Sequence, residues 1–124
     1  KIDVEDVAEI LIKFGNGAVG EVHLDYLQRV PRRNLEIIGV KGTILWDYFD
    51  GKIKVYTAKN KKWNTYKLSG NFDRNDMFAD EMAHFLDCVV KRKKTMIPLT
   101  EGVKSLEVAL AAKYSSAIGR VINL

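Results

Sequence analysis

Three residue types that often define a site or a scaffold are scarce in this sequence. Its 124 residues include one cysteine, two prolines and two histidines. A single thiol cannot form an internal disulfide, and Cys88 with His23 and His84 supplies too few ligands for a structural zinc site. No stretch reaches the ~18 consecutive apolar residues that span a bilayer, and the first residues lack the apolar core of a signal peptide. We therefore expect a protein of a reducing compartment, the cytoplasm, with no membrane partner and no metal.

The sequence also lacks a large excess of charge of either sign. Twenty basic residues face sixteen acidic ones, which gives a formal net charge of +4, and 47% of the residues are hydrophobic. Disordered chains combine low hydrophobicity with a high net charge, so this composition excludes intrinsic disorder. The length predicts one globular domain that spans residues 1–124.

The first half of the chain has the two-residue period of β-strands. Apolar side chains alternate over residues 7–14 and again over 18–26, and the glycine-containing segment 15–17 between them suits a tight turn. A three-residue loop places Glu9 opposite His23, which predicts a favourable cross-strand pair. Four further strands are predicted at 35–40, 43–49, 52–58 and 63–69, separated by turns that contain Gly, Asn or Lys.

The period becomes helical in the second half. Phe78, Met82, Phe85 and Val89 recur at helical spacing, and a basic run at 91–94 suits a helix C-terminus. Pro98 marks a break, and Thr100 is the predicted N-cap of a second helix that reaches Val121. The predicted class is α+β, a mostly antiparallel open sheet of about six strands with two C-terminal helices on one face. The other face is left for a partner.

Two motifs suggest chemistry that their context does not favour. GNGAVG at 15–20 matches the dinucleotide fingerprint, but that fingerprint must open a helix, and a strand pattern follows here. We interpret it as a hairpin turn. Glu81 and His84 have the spacing of half a di-iron site without a second copy, so we expect a solvated helix face and a packed Cys88 thiol instead of a metal or a nucleophile.

Basic residues cluster at 29–33, 59–62 and 91–94, near the aromatic residues Tyr26, Trp63 and Tyr66. Such clusters can bind nucleic acid, but two of them coincide with a predicted turn and a helix end, and no aromatic recognition strand accompanies them. The sequence disfavours nucleic acid as the partner. A free-standing protein-interaction or nucleic-acid-binding α+β module remains the alternative hypothesis.

Several segments in a fixed order resemble the C-terminal domain of the Gfo/Idh/MocA oxidoreductases, the family of glucose–fructose oxidoreductase and inositol dehydrogenase. The most specific are the phrase around Phe14, Asn16–Ala18 and Gly20, the segment EIIGVKGTILWD, and the closing TEGVKSLEVALAAKYSSAIG. The resemblance covers nearly the whole chain. It implies a parent protein whose N-terminal Rossmann domain binds NAD or NADP and which oxidises or reduces a sugar, polyol or related hydroxy compound.

The resemblance also limits what this chain can do alone. The Rossmann domain and the segments with the family's catalytic residues are absent from the 124 residues, so no catalytic or cofactor-binding residue is assigned. No side chain can store a hydride, so the chain without its cofactor domain is expected to be inactive.

The family's sheet domain forms a wall of the substrate cleft and pairs sheet faces between subunits. For the substrate side, the resemblance and the Pro-containing loop together indicate Tyr26, Gln28, Arg29 and Arg32, which offer hydrogen-bond donors. For a homo-oligomer, most simply a symmetric dimer, the mixed apolar and charged second face indicates an interface. Its predicted members are Leu11, His23, Leu27, Ile38 and Leu45.

Overall fold

The computed structural model describes residues 4–68, 70 and 73–124. Six strands precede two helices along the chain. Their bounds are β1 Val7–Lys13, β2 Val19–Asp25, β3 Asn34–Gly39, β4 Gly42–Asp47, β5 Lys52–Thr57, β6 Lys62–Lys67, α1 Arg74–Lys91 and α2 Leu99–Ile118. These elements confirm the α+β class. The last residue of the predicted sixth strand, Ser69, lies outside the described residues.

The strands β1 and β2 form the predicted antiparallel hairpin. The Phe14 N–H donates to the Ala18 carbonyl at 2.9 Å and Gly17, with a φ of 88°, completes the turn. This turn sets the register that places Glu9 opposite His23, as predicted. The hairpin therefore has one face with Ala8, Ile10 and Ile12 and an opposite face with the charged side chains.

The strands β3 to β6 form a second antiparallel sheet in sequential order. Tight packing between β4 and β5 requires glycine at one position, because a Cβ on Gly42 would lie 1.9 Å from the Tyr56 carbonyl oxygen. The register gives this sheet one strongly apolar face, with Leu35, Ile37, Ile44, Trp46 and Ile53, and one mixed face, with Glu36, Ile38, Leu45, Lys54 and Tyr56.

The six predicted antiparallel strands are all present, and they are divided between a two-stranded and a four-stranded sheet. The break falls in residues 26–33, which contain no strand. Pro31 in this segment has no N–H to donate to a ladder, so the chain leaves the hairpin before β3 begins.

Both helices begin earlier than their sequence signals suggest. Helix α1 starts at Arg74, ahead of its apolar stripe, and α2 starts at Leu99 with Pro98 as the N-cap. The expectation that Thr100 caps α2 is wrong, because the Pro98 carbonyl already accepts the Glu101 N–H at 2.9 Å. Helix α2 ends at Ile118, before the predicted Val121, because Gly119 adopts the left-handed conformation with a φ of 64° and the Arg120 N–H turns back to the Ser115 carbonyl at 3.3 Å.

The chain divides into two compact units. The first comprises Lys1–Leu27 and Ala79–Leu124, with the hairpin, most of α1 and all of α2, and the second is Gln28–Phe78, with the four-stranded sheet. Within the first unit, an ion pair of 3.0 Å joins Lys113 of α2 to Glu5 and lowers the pKa of Glu5. The placement of the helices on one sheet face stays a prediction.

Burial is slight throughout the described residues. Cys88 is the one buried side chain among them, with 5% exposure, and the prediction of a packed thiol is confirmed. The apolar stripe of α1 and the apolar face of the four-stranded sheet are both largely exposed.

Candidate functional site

The predicted substrate-side residues lie in the segment that follows β2. Tyr26 begins it in the first unit, where its N–H donates to the Asp6 carbonyl at 2.9 Å and its side chain is 89% exposed. Gln28, Arg29 and Arg32 belong to the second unit, and their side chains are exposed. A phenol, an amide and two guanidinium groups thus occur within seven consecutive residues, all of them able to donate hydrogen bonds.

Arg33 was not singled out from the sequence, but it anchors the end of this segment. Its guanidinium carbon lies 5.2 Å from the ring centre of Tyr48 and 5.9 Å from that of Trp46. The Tyr48 N–H donates to the Arg33 carbonyl at 3.0 Å. Stacking on two rings orients the guanidinium of Arg33, although this side chain is exposed like those of Arg29 and Arg32. Only the fold reveals this, since Arg33 and Tyr48 are distant in sequence.

The hairpin's charged face holds His23 between two carboxylates. Its Nδ1 forms a short contact with Glu9 Oε1, and its Nε2 lies 3.8 Å from Asp25 Oδ2. The hydrogen bond with Glu9 and the negative charges of Glu9 and Asp25 raise the pKa of His23. Leu11 lies on the same face, opposite Glu21, and is 79% exposed. An exposed leucine beside a charged cluster fits the mixed surface predicted for a subunit contact.

The other predicted interface residues are divided between the two units. Ile38 and Leu45 share the mixed face of the four-stranded sheet. Leu27 follows β2, where its N–H donates to the Asp25 carboxylate. The structure thus places Leu11, His23 and Leu27 in the first unit and Ile38 and Leu45 in the second, and it does not show one continuous surface that contains all five.

A shallow depression of about 360 Å³ lies on the mixed face of the four-stranded sheet. Its charges are partly paired, since Lys52 Nζ is 2.9 Å from Asp50 Oδ2 and lowers the pKa of Asp50. Leu45 is the only predicted site residue among those that line it, which are Asn34, Leu35, Glu36, Leu45, Trp46, Asp47, Asp50, Lys52 and Lys54.

The described residues do not fit a dinucleotide at GNGAVG. A dinucleotide cradle needs a helix whose N-terminus faces the pyrophosphate. Here the segment turns the hairpin and continues into strand β2, and the Asn16 side chain accepts the Ala18 N–H at 3.0 Å. The interpretation of this motif as a turn is confirmed.

His84 and Cys88 lie one turn apart on α1 and bind the segment that follows the helix. His84 Nε2 accepts the Met96 N–H at 3.0 Å and lies 3.6 Å from the Cys88 sulfur, which also approaches the Lys94 carbonyl. No group of three or more metal-ligating side chains occurs in residues 4–68, 70 and 73–124. The pair therefore secures the chain after α1.

The six antiparallel strands and two C-terminal helices define an α+β domain. The whole chain, residues 1–124, matches the model of the oxidoreductase family's C-terminal alpha/beta domain. It belongs to this family, the C-terminal domain of the Gfo/Idh/MocA oxidoreductases, and the resemblance seen in the sequence is confirmed. In this family an N-terminal Rossmann domain generally binds NAD or NADP.

No curated protein and no solved structure matches the chain significantly. None of the helices in the described part of the chain is both long enough and apolar enough to cross a membrane.

Proposed function

We propose that this chain is the substrate-side and oligomerisation domain of a cytoplasmic NAD(P)-dependent dehydrogenase that acts on a sugar, polyol or related hydroxy compound. The observation that carries the proposal is the family match over all 124 residues. A Rossmann domain of the same protein holds the nicotinamide, because the one glycine-rich motif of this chain forms a hairpin turn.

The substrate-facing role falls to Tyr26, Gln28, Arg29 and Arg32. The side chains of all four residues are exposed, and the stacked Arg33 lies at the point where the segment enters β3. Guanidinium and amide donors bind hydroxyls and carboxylates through oriented hydrogen bonds. This chemistry supports a polyhydroxylated or acidic sugar substrate.

The second role is contact between subunits. Leu11 and Ile38 are large apolar side chains that are mostly exposed, and their cross-strand partners, Glu21 and Thr43, are polar. Isolated exposed apolar side chains are common, but here they accompany an apolar helix stripe and an apolar sheet face that are also uncovered. The homo-oligomer is proposed to bury part of this surface.

The test uses the parent protein with its Rossmann domain, and nicotinamide fluorescence as the readout. We expect NADH or NADPH binding by the parent and none by the 124-residue chain. A panel of sugars, polyols and sugar acids then identifies the substrate, and Arg29→Gln and Arg32→Gln should raise KM with little change in cofactor affinity. Arg33→Gln tests whether Arg33 positions the segment, because its guanidinium stacks on the rings of Trp46 and Tyr48.

Tight dinucleotide binding by the 124-residue chain would contradict the proposal that the Rossmann domain alone holds the nicotinamide. If KM is unchanged in both arginine variants, Arg29 and Arg32 do not contact the substrate.

A further inference from the structure

The segment between β2 and β3 carries arginines whose chemistry selects among the hydroxy compounds of the proposed function. We infer, on the basis of that proposed function, that the substrate is a sugar or polyol derivative with a carboxylate or phosphate group. Arg29 and Arg32 bind this oxyanion. Both lie in residues 26–33, which contain neither helix nor strand.

The positive charge of this segment is not neutralised by its neighbours. Residues 26–35 contain three arginines and no Asp or Glu. The carboxylate directly before them, Asp25, already accepts a backbone N–H and lies 3.8 Å from Nε2 of His23. In the part of the chain that the structure describes, neither Arg29 nor Arg32 forms an ion pair. A negatively charged ligand group would supply the missing partner.

The hydrogen-bonding capacity of a guanidinium separates charged from neutral sugars. A guanidinium has five N–H donors and no acceptor. A neutral sugar hydroxyl both donates and accepts, so a site for it combines donors with acceptors such as carboxylates. A carboxylate or phosphate only accepts, and a guanidinium binds it through two parallel, charge-assisted hydrogen bonds. Unpaired guanidinium groups in a segment without carboxylates therefore match an oxyanion better than a neutral hydroxyl.

The backbone that carries the two arginines has little conformational freedom. Pro31 lies between them, has a φ fixed near about −65°, and restricts Val30 to extended conformations. At the end of the segment, the guanidinium of Arg33 lies over the rings of Trp46 and Tyr48, and the Arg33 carbonyl accepts the Tyr48 N–H at 3.0 Å. A restricted segment loses less conformational entropy when it binds a ligand. Arg33 is therefore a positioning residue for the two arginines before it.

The phosphates of the cofactor are the competing oxyanions. In a Rossmann domain the pyrophosphate lies at the N-terminus of a helix, where backbone N–H groups and the helix dipole bind it. The proposed function assigns the cofactor to that domain, which supplies its own phosphate site. A substrate oxyanion therefore fits Arg29 and Arg32 better than a cofactor phosphate does.

The experiment measures steady-state kinetics of the parent protein with NAD and with NADP. Each neutral sugar is compared with its uronate and its phosphate ester, so that glucose, for example, is paired with glucuronate and with a glucose phosphate. We expect kcat/KM to be at least ~10-fold higher for one of the charged forms than for the neutral sugar. The preferred form identifies the oxyanion as a carboxylate or a phosphate. Added salt should raise KM for the charged form alone, because salt screens charges.

The variants test the two arginines separately. Arg29→Gln and Arg32→Gln should each raise KM for the charged substrate about tenfold, because each removes a charge-assisted hydrogen bond. KM for the neutral sugar and the Kd of the cofactor should stay nearly unchanged. Arg32→Lys keeps the charge without the planar fork and should restore part of the affinity. Lys59→Gln is the matched control, since it removes the same charge from an exposed turn of the same unit and should leave KM unchanged.

Three results would overturn this assignment and leave the proposed function intact. They are a kcat/KM for neutral sugars that equals or exceeds that of the charged forms, equal increases in KM for both forms in the arginine variants, and a loss of cofactor affinity in those variants. Turnover of no sugar on the panel, with cofactor bound, would overturn the proposed function and the oxyanion site with it. Circular dichroism shows whether each variant is folded, and Arg32→Lys and the salt dependence keep the test decisive if a glutamine variant does not fold.

Discussion

His23 shows how two neighbouring carboxylates change one side chain on an exposed strand. The contact with Glu9 and the nearby Asp25 favour the protonated imidazole, which raises the pKa of His23 from 6.5. Because the unfolded chain lacks these contacts, the protonated pair stabilises the hairpin. This contribution is complete below about pH 6.5 and declines as the pH rises through the raised pKa.

Glu9→Gln removes the carboxylate that accepts from His23. Thermal unfolding from about pH 6 to 9 should show a lower Tm than the original chain at the acidic end, and the difference should shrink as His23 loses its proton. Glu21→Gln is the control, since Glu21 is opposite Leu11. A difference in Tm that does not vary with pH would show that Glu9 acts without the histidine charge.

One glycine inside helix α2 and one directly after it have opposite roles. Gly119 ends the helix in the left-handed conformation, with its N–H on the Ser115 carbonyl, whereas Gly102 lies in the first turns, where an added Cβ would have no neighbour within 4 Å. A side chain is strained at the first site and unhindered at the second. The same substitution should therefore have opposite effects.

Gly119→Ala should lower the free energy of unfolding by about 1 kcal/mol, because alanine resists the left-handed conformation. Gly102→Ala should raise it by roughly 0.5–1 kcal/mol through the lower entropy of the unfolded chain and better helix propensity. Urea denaturation measures the free energy of unfolding of both variants. If both substitutions change the free energy of unfolding in the same direction, Gly119 does not end α2 in solution.

Each of the two units carries large apolar side chains that are exposed in the structure. In the described residues only Cys88 is buried, while apolar faces of helix and sheet are exposed. Burial of apolar surface in an assembly is favourable because it removes that surface from water. A domain with this surface is suited to a partner, which accords with a family in which it accompanies a Rossmann domain.

Leu11→Glu tests the proposed subunit contact. Leu11 is exposed, so the variant should fold, but a new carboxylate beside Glu9 and Glu21 should repel a second copy. Light scattering should show the mass of a monomer where the original chain gives a dimer. Val121→Glu, also at an exposed apolar residue, should leave the mass unchanged. If Leu11→Glu also leaves it unchanged, the hairpin face is not the contact.

The local elements were predictable because their causes are local. The alternation from Val7 to Lys13, the turn at Gly17 and the helical stripe from Phe78 to Val89 each depend on residues that are close in sequence. The predicted pair of Glu9 and His23 followed from a loop length. The predicted helix starts were less accurate. The N-cap of α2 is Pro98 instead of Thr100, because the Pro98 carbonyl accepts a backbone hydrogen bond. A backbone bond of this kind cannot be recognised from the type of side chain.

The sequence by itself determined the secondary structure, the hairpin register and, through motifs in a fixed order, the family. The tertiary structure alone decided that the strands form two sheets and that Arg33 stacks on Trp46 and Tyr48. The reason is physical. Periodicity and turn chemistry act over a few residues, whereas these contacts join residues far apart in sequence, and strand pairing alone brings them together.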